Sequence, residues 1–219
     1  MRTIKVTGKG QIKVRPNMTR ITITLEGVYQ EYAEAVQHSS EYTESLKELL
    51  SAFGFERSDL KTLSFDVDTQ YETYQEQFAY KQRFVGYRFR HLLKLEFESD
   101  NERLGKILYA LGKCELKPEF RISYTVKDPE AAKNELIGKA VKDAKEKAAV
   151  IAAAAEVILK EIQAIDYSWG EIEFEVSPMN RLMKAEAPAP ACADASYGVD
   201  IEPDDIEVSD TVTVVWKIA

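Results

Sequence analysis

The sequence is short of the residues from which common sites are built. Two cysteines, Cys114 and Cys192, and two histidines, His38 and His91, are all that 219 residues contain. The cysteines stand far apart and outside any CxxC spacing. They form neither a zinc pattern nor a disulfide framework, and they read as free thiols of a reducing compartment. Basic residues are also in deficit, 29 Lys and Arg against 37 Asp and Glu, for a formal charge of −8. Recognition of nucleic acid needs a concentrated basic surface, so the reading predicts no nucleic-acid partner. Long apolar runs are missing too. The most apolar window, Ala148 to Leu159, is rich in alanine, broken by Glu156, and well short of the roughly 20 residues that span a bilayer. The opening MRTIKVTGKGQIKV has no continuous apolar region and no small-residue cleavage site. The expectation is a cytoplasmic protein with no membrane span.

What is present is ordinary globular material, 45% hydrophobic and 30% charged, enough to bury a core as one domain over 1–219. Two periods alternate along it. Ile4, Val6, Ile12 and Val14 share one parity, Lys5, Lys9, Lys13 and Arg15 the other, as in a half-buried strand. Gly8 and Gly10 sit on the apolar parity, where they leave room for another element or permit a bend. A turn near Pro16-Asn17 and the alternation Ile21, Ile23, Leu25 predict an amino-terminal hairpin. Strand parity returns at Leu63, Phe65, Val67 and at Val85, Tyr87, Phe89, Leu93, Leu95, Phe97, two strands expected to pair. It appears again at Phe120 to Val126, in runs around Ile162 to Trp169 and Ile172 to Val176, and at Ile206 to Ile218.

Helical period takes over between these strands. Tyr32, Val36, Ser39, Tyr42, Leu46, Leu49, Leu50 and Phe53 form a stripe closed by Gly54. Ser99 to Glu102 has capping-box spacing before Leu104, Ile107, Leu108 and Leu111, with Gly112 as the stop. The longest helical pattern, DPEAAKNELIGKAVKDAKEKAAVIAAAAE, places Ala132, Leu136, Ala140, Ala144, Ala148 and Ala152 one above another. Such a narrow, smooth side lets a helix backbone approach whatever it packs on. Asp128 suits the N-cap and Pro129 the first turn. The resulting order, ββαββαβαββ with hairpins at both ends, predicts an α+β fold with helices on a mainly antiparallel sheet. Residues 181–205, with Ala185-Glu-Ala-Pro-Ala-Pro, lack a core pattern and read as loop or disorder.

Four groups of residues are candidates for chemistry or contact. Gly8-Lys9-Gly10 resembles the start of a phosphate-binding turn, but a strand follows it where that motif needs a helix. Glu171, Glu173 and Glu175 share one strand face and suit a hard cation; the plainer reading is a solvated face opposite lysines. His91 lies on the apolar parity between Phe89 and Leu93, and is expected to be a satisfied core or interface histidine because no partners converge on it by spacing. Tyr71 to Phe84 carries Tyr71, Tyr74, Phe78, Tyr80 and Phe84 among polar residues, which suits a contact surface or an ordinary two-stranded extension.

Several pieces in order, VTGKGQIKVRPN, ITITLEGV, the pair Gly86-Tyr87, AVKDAKEKAAVIAAAAE and VSDTVTVVWKI, resemble the SIMPL domain family over nearly the whole chain. The resemblance implies an α+β domain with no established catalytic motif, common in bacteria, often exported, and in places assembled into ring-like oligomers. Glu156-Val157 stands where the family usually has a glycine, which implies a different cap at that helix end. No catalytic residue and no cofactor carries over. The expectation is therefore a non-enzymatic protein that assembles with itself or with another protein through sheet edges and the aromatic hairpin. The alternative is a small-ligand or divalent-cation binder using the glutamate face.

Overall fold

The computed structural model describes residues 2–76, 79–167, 172–177 and 201–219. Along the chain run β1 (Thr3–Val14), β2 (Met18–Tyr29), α1 (Tyr32–Ser51), β3 (Lys61–Glu76), β4 (Ala79–Glu98), α2 (Asn101–Lys113), β5 (Glu119–Thr125), α3 (Pro129–Ala154), β6 (Leu159–Asp166), β7 (Glu175–Val176) and β8 (Ile206–Ile218). The fold is α+β, helices on two antiparallel sheets, in nearly the predicted order. Residues 181–200 of the stretch expected to be loop or disorder lie outside the described residues. The chain divides into two compact units, one of Met1–Asn17, Thr125–Val176 and Pro203–Ala219, the other of Met18–Tyr124 and Ser177–Glu202.

In the first unit β8 lies between β1 and β6, antiparallel to both. The two expected terminal hairpins are thereby corrected. β1 pairs residue for residue with β8 from Thr3↔Lys217 to Val14↔Ile206, so the two ends of the chain pair with each other. Local alternation correctly sets which side of each strand is inward but carries no information on the partner. Val6, Val212, Val214 and Trp216 form the inward face, against Ala140, Ala144 and Ala148 of α3.

All six residues of the predicted ribbon, Ala132 to Ala152, are buried. The glycines of β1 explain how close the helix comes. A Cβ on Gly8 would lie 2.7 Å from the Ala144 Cβ and nearer still to the Ala140 carbonyl, and one on Gly10 would lie 3.0 Å from the Ala140 nitrogen. Both glycines therefore serve the room-making role. The helix starts as expected, with the Asp128 carboxylate accepting from the Ala131 N–H at 2.9 Å. Its other end departs from expectation. The Val157 N–H donates to the Ala152 carbonyl at 3.0 Å and the Glu156 N–H to Ala153 at 3.2 Å, the paired bonds of a Schellman cap. Glu156 occupies the left-handed position of that cap at φ +54, so the cap is the usual glycine type carried by a residue that pays for it in strain.

In the second unit the strand order is β3-β4-β2-β5, with β4 pairing both β2 and β3. The predicted pairing of β3 with β4 is thus present, and β2 takes β4 rather than β1. Ile21, Ile23, Leu25, Phe89, Leu93 and Leu95 meet Leu46 and Leu50 of α1 and Leu104, Ile107 and Leu111 of α2. Burying one such side chain stabilises by about 1.5–3 kcal/mol, so this cluster dominates the unit. Three local expectations are corrected. The inward stripe of α1 begins at Ala35, and Tyr32 and Val36 are exposed. The N-cap of α2 is Asp100, not Ser99; its carboxylate accepts from the Arg103 N–H, and the helix continues through Gly112 to Lys113. Of the run Ile172 to Val176 only Glu175–Val176 is strand.

Candidate interaction surface

The β3–β4 ribbon extends beyond α1 as an arm. Its cross-strand pairs run from Phe65↔His91 through Gln70↔Gly86 and then, with a shift, from Tyr71↔Phe84 to Glu76↔Ala79. The shift leaves Val85 as one extra residue on β4. Its carbonyl accepts from Gln30 Nε2 at 2.6 Å. Gly86 occupies φ +154, and a Cβ there would crowd the Tyr29 backbone at 3.0 Å. One inserted residue reverses the faces of everything beyond it. Phe84 therefore turns to the side of Tyr87, and Val85 does not continue the inward parity predicted for it.

The consequence is a run of edge-to-face rings. Tyr32 to Tyr87, Tyr87 to Phe84 and Phe84 to Tyr71 have centroid separations of 5.7, 5.4 and 5.8 Å. Of the residues predicted for contact, Tyr80 is 79% exposed, Tyr71 55%, Phe84 44% and Tyr74 38%. Phe78 lies outside the described residues. The hairpin thus combines both sequence readings, rings paired across the strands and still open to solvent. Glu72 holds Arg83 through Nε and Nη2 at 3.0 and 2.7 Å on the opposite face. Tyr32 and Tyr87 were not predicted members, since only the extra residue at Val85 brings the arm into line with them.

His91 stands at the base of the arm and is fully engaged. Its Nε2 lies 2.9 Å from Thr62 Oγ1 and its Nδ1 3.1 Å from Thr43 Oγ1. Thr43 already donates its only hydroxyl proton to the Ser39 carbonyl at 2.8 Å, so toward the imidazole it acts as acceptor. The proton of the neutral ring therefore sits on Nδ1, and Thr62 donates to Nε2. Burial, then the nearby Lys47 charge, push the His91 pKa down from its ordinary value and keep the ring neutral. The other histidine, His38, stacks on Tyr29 at 4.3 Å and pairs with Glu41. Burial, then the hydrogen bond shared with the Tyr42 hydroxyl at 2.9 Å, push the Tyr29 pKa up to about 12.

The remaining candidates are separate. Glu173 and Glu175 are exposed and alternate with buried Phe174, while Glu171 lies outside the described residues. Among the described residues no group of three His, Cys, Asp or Glu is placed to hold a metal ion. Gly8-Lys9-Gly10 is continuous strand, and the Lys9 N–H donates to Asp143 Oδ2 of α3 at 2.7 Å rather than facing a helix amino terminus. An open cleft of about 380 Å³ lies between the end of α1 and the start of α2. Its charges are already used: Asp100 caps α2, Lys106 pairs with Glu102 at 2.6 Å, and Arg103 donates to the Phe53 carbonyl at 2.8 Å while lying 3.9 Å over the Phe55 ring. Cys114 is a free thiol whose Sγ donates to the Leu111 carbonyl. Among the described residues no helix is long and apolar enough to cross a membrane.

No curated protein matches the chain. The order of glycine-bearing strand, alanine-ribbon helix and closing strand that carried the resemblance is matched from residue 4 to residue 216, and the chain belongs to the SIMPL family, described as protein of unknown function (DUF541).

Proposed function

We propose that this protein is a non-enzymatic assembly protein whose aromatic arm contacts a second copy of the chain. The observation that carries the reading is the run Tyr71, Phe84, Tyr87 and Tyr32, with Tyr80 beyond it, all exposed except half-buried Tyr87, on a ribbon whose shape is set by the bulge at Val85. Aromatic rings contribute large apolar area at low conformational cost, which is why they anchor protein contacts. A ribbon whose rings are exposed among the described residues gains stability by burying them.

Sedimentation velocity across a concentration series tests the reading. The wild-type chain is expected to sediment as an oligomer, and the pair Tyr80→Ser and Phe84→Ser to lower its mass toward the monomer without changing the circular dichroism. A wild-type monomer at millimolar concentration overturns the proposal.

A further inference from the structure

The outer strands differ in how their edges are protected. An uncovered edge offers a row of N–H and C=O groups to any extended chain, and proteins block such edges with side chains, bulges or cover. β1 is blocked by α3, whose Asp143 carboxylate takes the Lys9 N–H. β6 carries extra residues at two places, between Leu159 and Ile162 and between Ile162 and Ala164, so its ladder is broken along most of its length. Among the described residues β3 has neither device. Its one irregularity lies at its start, between Thr62 and Ser64, and the shift near Gln70 puts the extra residue on β4. From Ser64 to Gln75 β3 is therefore unbroken, outermost in its sheet, and exposed at nearly every residue.

Its side chains define what fits beside it. Asp66, Asp68 and Glu72 share one face, and Phe65, Val67 and Tyr71 share the other. Phe65 is 42% exposed although its ring touches His91 at 5.2 Å, which leaves apolar area next to the open edge. The cations that accompany the acids, Arg90, Arg88 and Arg83, are on β4, one strand further in. Arg83 is bound to Glu72, and Arg90 pairs with Glu26 on its other side, so the negative charge that a strand about 4.8 Å from β3 meets is that of Asp66 and Asp68. A second copy of β3 is disfavoured, because an antiparallel twofold pairing sets acid face on acid face.

We infer that the outer edge of β3 is a strand-addition site for an extended, basic segment of another protein, in which Lys or Arg alternates with aliphatic residues. The cations lie beside Asp66 and Asp68, the aliphatic residues beside Phe65 and Tyr71, and the backbones pair. This site uses the edge of the arm and shares only Tyr71 with the ring-bearing face proposed for self-assembly.

Fluorescence anisotropy of the full chain with three labelled octapeptides tests it: alternating Lys-Val, alternating Glu-Val, and Lys-Val methylated on every backbone nitrogen. Lys-Val is expected to bind roughly tenfold tighter than Glu-Val, from about twofold attraction of Lys and about twofold repulsion of Glu at each of Asp66 and Asp68. The methylated peptide keeps the charge but cannot form the ladder, and is expected not to bind. The variant Asp66→Lys with Asp68→Lys and Glu72→Lys is expected to reverse the preference. Equal binding of methylated and unmethylated Lys-Val, or no preference over Glu-Val by the wild type, overturns the inference. The Tyr80→Ser and Phe84→Ser chain keeps every β3 acid, so failure of self-assembly there and failure of peptide binding are read separately.

Discussion

Replacing Gly8 by alanine adds a single methyl group at the closest point between α3 and β1. That methyl would stand 2.7 Å from the Ala144 Cβ, and closer to the backbone of Ala140 and Ala144. Carbon atoms rest at about 3.5–4.0 Å, so the helix must withdraw by roughly 1 Å. No rotamer change relieves the overlap, because the atoms in the way are helix backbone and a β-carbon. The withdrawal also loosens Ala140, Ala144 and Ala148 from Val6, Val214 and Trp216. Overpacking of this kind costs about 1–3 kcal/mol, and the upper end applies where neither side can yield. The reduced freedom of the unfolded chain offsets about 0.4–1 kcal/mol of that. A net loss of about 2 kcal/mol lowers the melting temperature by roughly 4–8 °C in a protein of this length. Gly138, on the same helix with nothing within 4 Å of a built Cβ, supplies the control. Its change to alanine is expected to stabilise by about 0.5–1 kcal/mol. Urea denaturation followed by far-ultraviolet circular dichroism compares the two. Equal effects of Gly8→Ala and Gly138→Ala would refute the close approach.

Glu156→Gly is expected to stabilise by about 1 kcal/mol, because the left-handed conformation at φ +54 costs glycine nothing; thermal melts check it. Hydrogen bonds from Lys147 and then from the Lys9 backbone hold the Asp143 pKa down, so its contribution is present above the ordinary carboxylate range and is lost as pH falls through the depressed value. The stability difference between wild type and Asp143→Asn should therefore shrink toward strongly acidic pH, as pH-dependent denaturation measures. His91 has a lowered pKa. Between that value and about 6.5 the unfolded chain binds a proton that the folded chain refuses, so stability should fall on acidification through this window. His91→Gln is expected to flatten that part of the profile, and long-range nitrogen NMR should find the ring proton on Nδ1. Truncating Arg103 to alanine removes both the Phe53 carbonyl bond and the cation over Phe55, for a loss of about 2 kcal/mol by denaturation.

Read alone, the sequence determined the elements and their inward faces. The ribbon from Ala132 to Ala152, the alternation in β1 and β8, and the caps at Asp128 and Pro129 all follow from local spacing, because side-chain direction repeats every 3.6 or 2 residues. It also placed the aromatics on a hairpin and put His91 on an inward parity. Tertiary structure alone decided the rest. Pairing of β1 with β8 depends on backbone groups brought together from opposite ends of the chain, and hydrogen bonds of that kind leave no local signature. The extra residue at Val85 reversed the face of Phe84, which no parity count foresees. The two glycines of β1 had two meanings in the sequence, a bend or an empty place. Only the helix resting against them showed that they are the space into which the alanine ribbon fits.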